Sequence, residues 1–185
     1  LTPAGGRPPE VLTFRVDCST QITDSSGRFT SLFSMLVHTM THGFEGKTDV
    51  VFNGRFYRFL VNWVRDHVHA LKGMKYFDGD LRSAMELWRD SQRDDGMIWD
   101  NVHEATPSVI KRHQPLYGYD DFMRVYPLSK EKVLEFARAP MESDTEYLYV
   151  EGIYNTWKAT GDDEWMKGML DSAVRAYRYA MTSAY

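Results

Sequence analysis

The feature that most restricts how this chain can fold is a helical unit that occurs twice. Residues 63–76 carry apolar side chains on nearly every side, through Trp63, Val64, Val68, Ala70, Leu71 and Met74. That is the profile of a helix enclosed by other elements. "FDGDLR" turns the chain, and residues 80–93 follow as a one-sided helix, with Leu81, Ala84, Met85 and Trp88 in a stripe opposite Arg82, Glu86, Arg89 and Arg93. About eighty residues later the pattern returns. Residues 145–159, "TEYLYVEGIYNTWKA", are again apolar on most sides, and "TGDDEW" repeats the turn. Residues 163–181 then present Trp165, Met166, Met169, Leu170, Ala173, Val174 and Tyr177 on one face. In each turn glycine suits the left-handed position that ends a helix, and aspartate suits the start of the next.

Two such hairpins imply a polarity. Their short turns lie at one end, so the long connection over residues 94–143 must leave and return at the other. Connections of that length are uncommon unless they carry function. The enclosed helices also begin at that end, with Arg65-Asp66 in one and Asp144 to Glu146 in the other. Acids, an arginine and aromatic segments are therefore expected on one face. Within the connection, "DDGMIWDNVHEATPSV" and "HQPLYGYDDFMRVYP" read as loops and "SKEKVLEFARA" as a short helix. Upstream, residues 1–24 read as an extended lead-in with a short strand at "VLTFRVD". A helix in "DSSGRFTSLFSMLVHTMTHG" stops at Gly43, and Asn53-Gly54 in "DVVFNGRFYRFL" is a two-residue hairpin signal.

Bulk properties narrow the partners. A chain of 185 residues supports one well-filled core. Net charge is -4 and no basic run stands out, which argues against nucleic acid and anionic membranes. The single Cys18 excludes an internal disulfide and any multi-cysteine metal site. No apolar run approaches the length of a bilayer span, and the Leu start lacks a signal-peptide pattern, as a trimmed protein or a fragment would. Compartment stays open. Aromatic residues make up 14% of the chain, a surplus that favours flat apolar faces for sugars or other rings.

"WVRDHVHALKGMKYF" resembles the Trp-x-Arg-Asp segment of exo-acting (α/α)6-barrel, or six-hairpin, glycosidases: glucoamylases, the glucosidase domain of glycogen debranching enzymes and some exo-mannosidases. "SQRDDGMI" is similar to the Gln-x-x-Asp-Gly stretch that follows the next helix in them, and "SDTEYLYVEGIYNTWKATGD" to their following inner helix. The likeness covers roughly residues 50–185. It implies an all-α fold, a partial (α/α) toroid holding about four or five of twelve helices, with a small N-terminal β-hairpin. Residues 25–185 would form the catalytic-type domain, with 94–143 as its active-face loop.

In those families the Arg-Asp pair holds hydroxyls of the terminal sugar, a role that falls here to Arg65 and Asp66, with Trp63 as a wall. A carboxylate accepts two hydroxyls while a guanidinium donates a rigid fork and keeps the carboxylate ionised. The resemblance places the general acid and base beyond Tyr185; within the chain Asp100 and Glu104, beside Trp99 and His103, are the weaker candidates. Asp144 and Glu146 are candidates for sugar contacts or for capping, and Tyr117 and Tyr119 for a lid or platform. Two carboxylates about 6.5–9.5 Å apart would suit an inverting hydrolase that needs no cofactor. The expected partner is an oligosaccharide or glycoside, along with self-association or association with the missing half of the toroid through an exposed apolar face.

The histidines do not suggest a metal. His67 and His69 point to different faces of a helix, and His103 and His113 lack a recognisable ligand spacing. Calcium on loop carboxylates is left open by "DDG" alone. No phosphate loop or nucleophile elbow is present. The rival readings are a non-catalytic helical-repeat module that binds glycan or protein, and a polysaccharide lyase or sugar epimerase with a Tyr or His base.

Overall fold

The computed structural model describes residues 25–29, 31–42, 48–59, 62–117 and 122–182. The expected lead-in over 1–24, its strand, Gly43 and Tyr119 lie outside them. Helix α1 spans Leu32–His42 and is followed by the hairpin β1 (Thr48–Phe52) and β2 (Arg55–Phe59). The turn takes positive φ at Asn53 and Gly54, 50° and 76°, as a two-residue hairpin requires. Val50, Phe52 and Tyr57 turn one face of the hairpin into the core.

The two helical hairpins form where the sequence puts them. Helices α2 (Val64–Met74) and α3 (Ser83–Ser91) make the first, and α5 (Thr145–Thr160) and α6 (Asp163–Thr182) the second. Gly161 ends α5 in the left-handed conformation at φ 66°, with its N–H on the Trp157 carbonyl. Gly79 does not play that part, because α2 ends at Met74 and Lys75 stays right-handed. Both aspartates do start helices: Asp80 Oδ1 accepts from Ser83 N at 3.0 Å and Asp162 Oδ1 from Trp165 N at 2.9 Å.

The hairpins stack in parallel, with equivalent positions meeting. Arg65 reaches Asp144 and Glu86 reaches Trp165, each 79 positions on. Arg89 meets Met169 and Gln92 meets Ser172, each 80 positions on. Close approach of α5 to its neighbours depends on Gly152, where an added Cβ would lie 2.9 Å from Val68 Cγ2 and 2.5 Å from Met85 Sδ. Val64, Val68, Met85, Trp88, Tyr149, Ile153, Met169 and Ala176 fill the space between the four helices.

The connection overturns the all-α expectation. It folds into strands β3 (Asn101–Ala105), β4 (Met123–Pro127) and β5 (Val133–Ala137), with helix α4 (Pro107–Tyr117) between the first two. The sheet is antiparallel in the order β3-β5-β4, so with the N-terminal hairpin the fold is mixed α and β. "SKEKVLEFARA" thus yields strand β5 in place of a helix. Leu134 and Phe136 alternate into the core while Glu135 faces the other way. Over five residues that period of two competes with a helical reading, and Val and Phe favour the pleat. Among the described residues no helix is long and apolar enough to cross a membrane. Tyr147 and Tyr154 of α5 and Leu170, Tyr177 and Met181 of α6 are exposed.

Candidate functional site

The expected polarity is present. The leading ends of α2 and α5, the segment 96–101 and the loop after β5 meet at one end of the helical stack. Val64 N donates to Asp100 O at 2.8 Å, Asp100 N to Ala137 O at 2.9 Å, and Val102 N to Asn62 O at 3.0 Å. Trp63 precedes α2, half-buried, and bridges Asn101 through its backbone.

Two arginines organise this mouth differently. Arg138 is 1% exposed at its side chain and Glu146 0%. Arg138 Nη1 lies 2.5 Å from Glu146 Oε1 and 2.8 Å from Ile98 O, and Nη2 lies 2.6 Å from Glu142 O. Glu146 Oε1 also accepts from Ile98 N at 3.0 Å. Both Nη groups of Arg138 and both carboxylate oxygens of Glu146 are matched, which is what permits their burial. Glu146 is therefore a lock between α5 and the connection, and it does not face a ligand.

Arg65 keeps 38% of its side chain exposed. Its guanidinium grips Asp144 with two bonds, 3.2 and 2.6 Å, and also reaches Glu142. Hydrogen bonds to Asp144 and Glu142 raise the Arg65 pKa and, in return, Arg65 lowers that of Asp144. The expected Arg65-Asp66 couple does not form. Consecutive helical residues diverge, so Asp66 lies exposed beside the mouth while Arg65 turns to α5. Nor does Asp144 cap α5, since its carboxylate is taken by Arg65.

Asp100 is the outlier. It is 1% exposed, and its Oδ2 has no hydrogen-bond partner among the described residues. Burial lifts its pKa from 3.8 to about 6, with Glu142 adding to the rise and Arg138 and Arg65 opposing it. A buried carboxyl that holds its proton up to about pH 6 is the group in this region suited to donate one.

The remaining candidates are dispersed. Trp99 is 1% exposed and donates Nε1 to Ser91 O at 2.7 Å, so it packs the core and offers no platform. Glu104 pairs with Lys132 at 2.9 Å, at a hollow of about 320 Å³ lined also by Ala105, Thr106 and Val109. Tyr117 closes α4 with its side chain outside the described set. The "SQRDDG" segment is a structural latch. Gln92 Nε2 donates to Gly96 O at 2.9 Å and to Ser172 O at 3.1 Å, while Asp95 Oδ1 accepts from Met97 N at 3.2 Å. Arg138 and Glu142 escaped the sequence reading. The signal was the alternating run Glu142, Asp144, Glu146, three closely spaced carboxylates that repel one another unless cations lie among them.

His103 and His113 also come together, with Glu135, on the sheet face beneath α4. Spacing concealed this, because His103 and Glu135 are cross-strand partners in the β3–β5 register. No protein-family model matches the chain, no curated protein is similar to it, and no solved structure matches it.

Proposed function

We propose that the protein acts on carbohydrate as part of an exo-acting glycoside hydrolase, with Asp100 as proton donor. The observation that carries this reading is the buried Asp100 carboxyl, its Oδ2 without a partner among the described residues and its pKa raised to about 6. Protonating a glycosidic oxygen near neutral pH calls for such an acid. Arg65 and Asp144, whose charges both act on Asp100, bring a cationic fork and a carboxylate acceptor near it, the groups that recognise vicinal hydroxyls of a terminal sugar. The likeness of "WVRD" to a segment of six-hairpin glycosidases supports the carbohydrate substrate, while the choice of Asp100 as donor rests on its own burial and raised pKa.

The test is hydrolysis of a panel of aryl glycosides and oligosaccharides by the full-length natural protein. Asp100→Asn should lower kcat by about 10²–10⁴ with little change in KM, and Arg65→Ala should chiefly raise KM. Because the acid must carry its proton, kcat should fall as pH rises through about 6. Wild-type turnover in Asp100→Asn would remove the assignment.

One observation favours a second reading. Arg65 and Arg138 are already satisfied by acids, and Asp100 is only 1% exposed. The mouth would then be a fastening between the hairpins in a glycan- or protein-binding module. Glycan binding without turnover in the wild type would favour it, and an unsaturated sugar product would point to a lyase.

A further inference from the structure

We propose that His103, His113 and Glu135 form a binding site for a divalent transition ion of the zinc type, separate from the mouth at Asp100. The site is built from three elements: β3 supplies His103, β5 supplies Glu135 directly opposite it, and α4 supplies His113 from above. Glu135 is 0% exposed at its side chain, while the two histidines retain 22% and 28%. The carboxylate is thus held by the sheet, and the imidazoles form the side open to solvent.

The distances suit coordination. Glu135 Oε2 lies 3.3 Å from His103 Nε2 and 3.0 Å from His113 Nδ1, and Glu135 Oε1 lies 3.1 Å from His113 Nδ1. All three ligand atoms fall within 4.8 Å of one another. An ion with bonds of about 2.0–2.2 Å spaces its ligands about 3.0–3.5 Å apart, so two of the three edges are already set. The third, between the imidazole nitrogens, is at most 4.8 Å and closes by rotation of the two side chains.

The donor set selects the ion. Two imidazoles with one carboxylate suit zinc and its first-row neighbours, whereas calcium and magnesium prefer all-oxygen shells. Three protein ligands on one side leave a position for water or a substrate atom, the arrangement of reactive more than structural sites. A buried carboxylate also needs a positive partner, and a divalent ion supplies one.

The test begins with the whole protein freed of metal by chelator and titrated with Co²⁺ at pH 8. We expect one Co²⁺ per chain, visible d–d bands of a four- or five-coordinate ion, and displacement by Zn²⁺. His103→Ala and His113→Ala alter part-exposed residues, and each should weaken binding by at least about 100-fold, beyond what loss of an outer partner usually costs. Glu135→Gln should do the same, with circular dichroism to verify its fold. In the unaltered protein Zn²⁺ should shift only two histidine ring resonances, those lost in the two alanine variants. Absence of stoichiometric Co²⁺ binding, or affinity unchanged in both histidine variants, would overturn the site and leave the assignment at Asp100 untouched.

Discussion

Replacing Asp100 by Asn tests the electrostatics of the mouth without any substrate. The carboxyl is 1% exposed, and its pKa rises from 3.8 to about 6 through burial first and the Glu142 charge second. In the unfolded chain it ionises near pH 4, while the folded protein keeps the proton to about pH 6. Between these values the native state binds more protons, so stability falls as pH rises across the window and is level above it. Holding the proton from near pH 4 to about pH 6 corresponds to about 3 kcal/mol of destabilisation in full.

Asn keeps the shape and removes the ionisation. Its amide carries a desolvation cost of about 1–3 kcal/mol when poorly paired, but that cost does not vary with pH. The informative quantity is therefore the difference in unfolding free energy, variant minus wild type, measured by urea titration from pH 4 to pH 8. It should rise by about 3 kcal/mol in favour of the variant, most of it between pH 4 and 6. A flat difference would mean that Asp100 ionises normally, and the case for it as an acid would go with it. A falling difference would mean that the carboxylate is stabilised in the fold, the reverse of what its surroundings imply.

Other parts of the structure make equally definite claims. His67 is buried against Trp88, and burial lowers its pKa from 6.5 to about 4. Its contribution is complete above pH 6.5 and is lost as pH falls toward 4, by about 3 kcal/mol, so His67→Leu should flatten that limb in acid unfolding curves. Removing Arg138 should cost about 3–5 kcal/mol by stranding Glu146, and a double-mutant cycle across the pair should give a coupling near 2–3 kcal/mol; additive single losses would contradict the lock. Gly96→Ala should cost about 2 kcal/mol or more in thermal unfolding, because a Cβ at φ 102° would sit 2.8 Å from the Arg175 carbonyl carbon and nearer still to its oxygen. Gly152→Ala should be rescued in part by Met85→Ala, since the Met85 thioether is a side chain that can be trimmed.

The four helices of the two hairpins were legible because each buries a face wide enough to leave a 3.6-residue trace in the sequence, as Ala84, Met85 and Trp88 do in α3. The Asn53-Gly54 turn was legible because its backbone admits few residue types. From these local constraints alone follow the two hairpins, their order, and the end at which Arg65 and Asp144 meet. The sheet was hidden, because five-residue strands such as "VLEFA" carry too short a period to separate from a helical turn. The charges were decided by tertiary structure as well. Arg65 chose Asp144 over its neighbour Asp66, Glu146 went to a buried Arg138, and Asp100 was left buried with a raised pKa, since each outcome depends on which backbone arrives beside it. His103 and Glu135, 32 residues apart in sequence, became neighbours only through strand pairing, a register that no spacing rule along one chain contains.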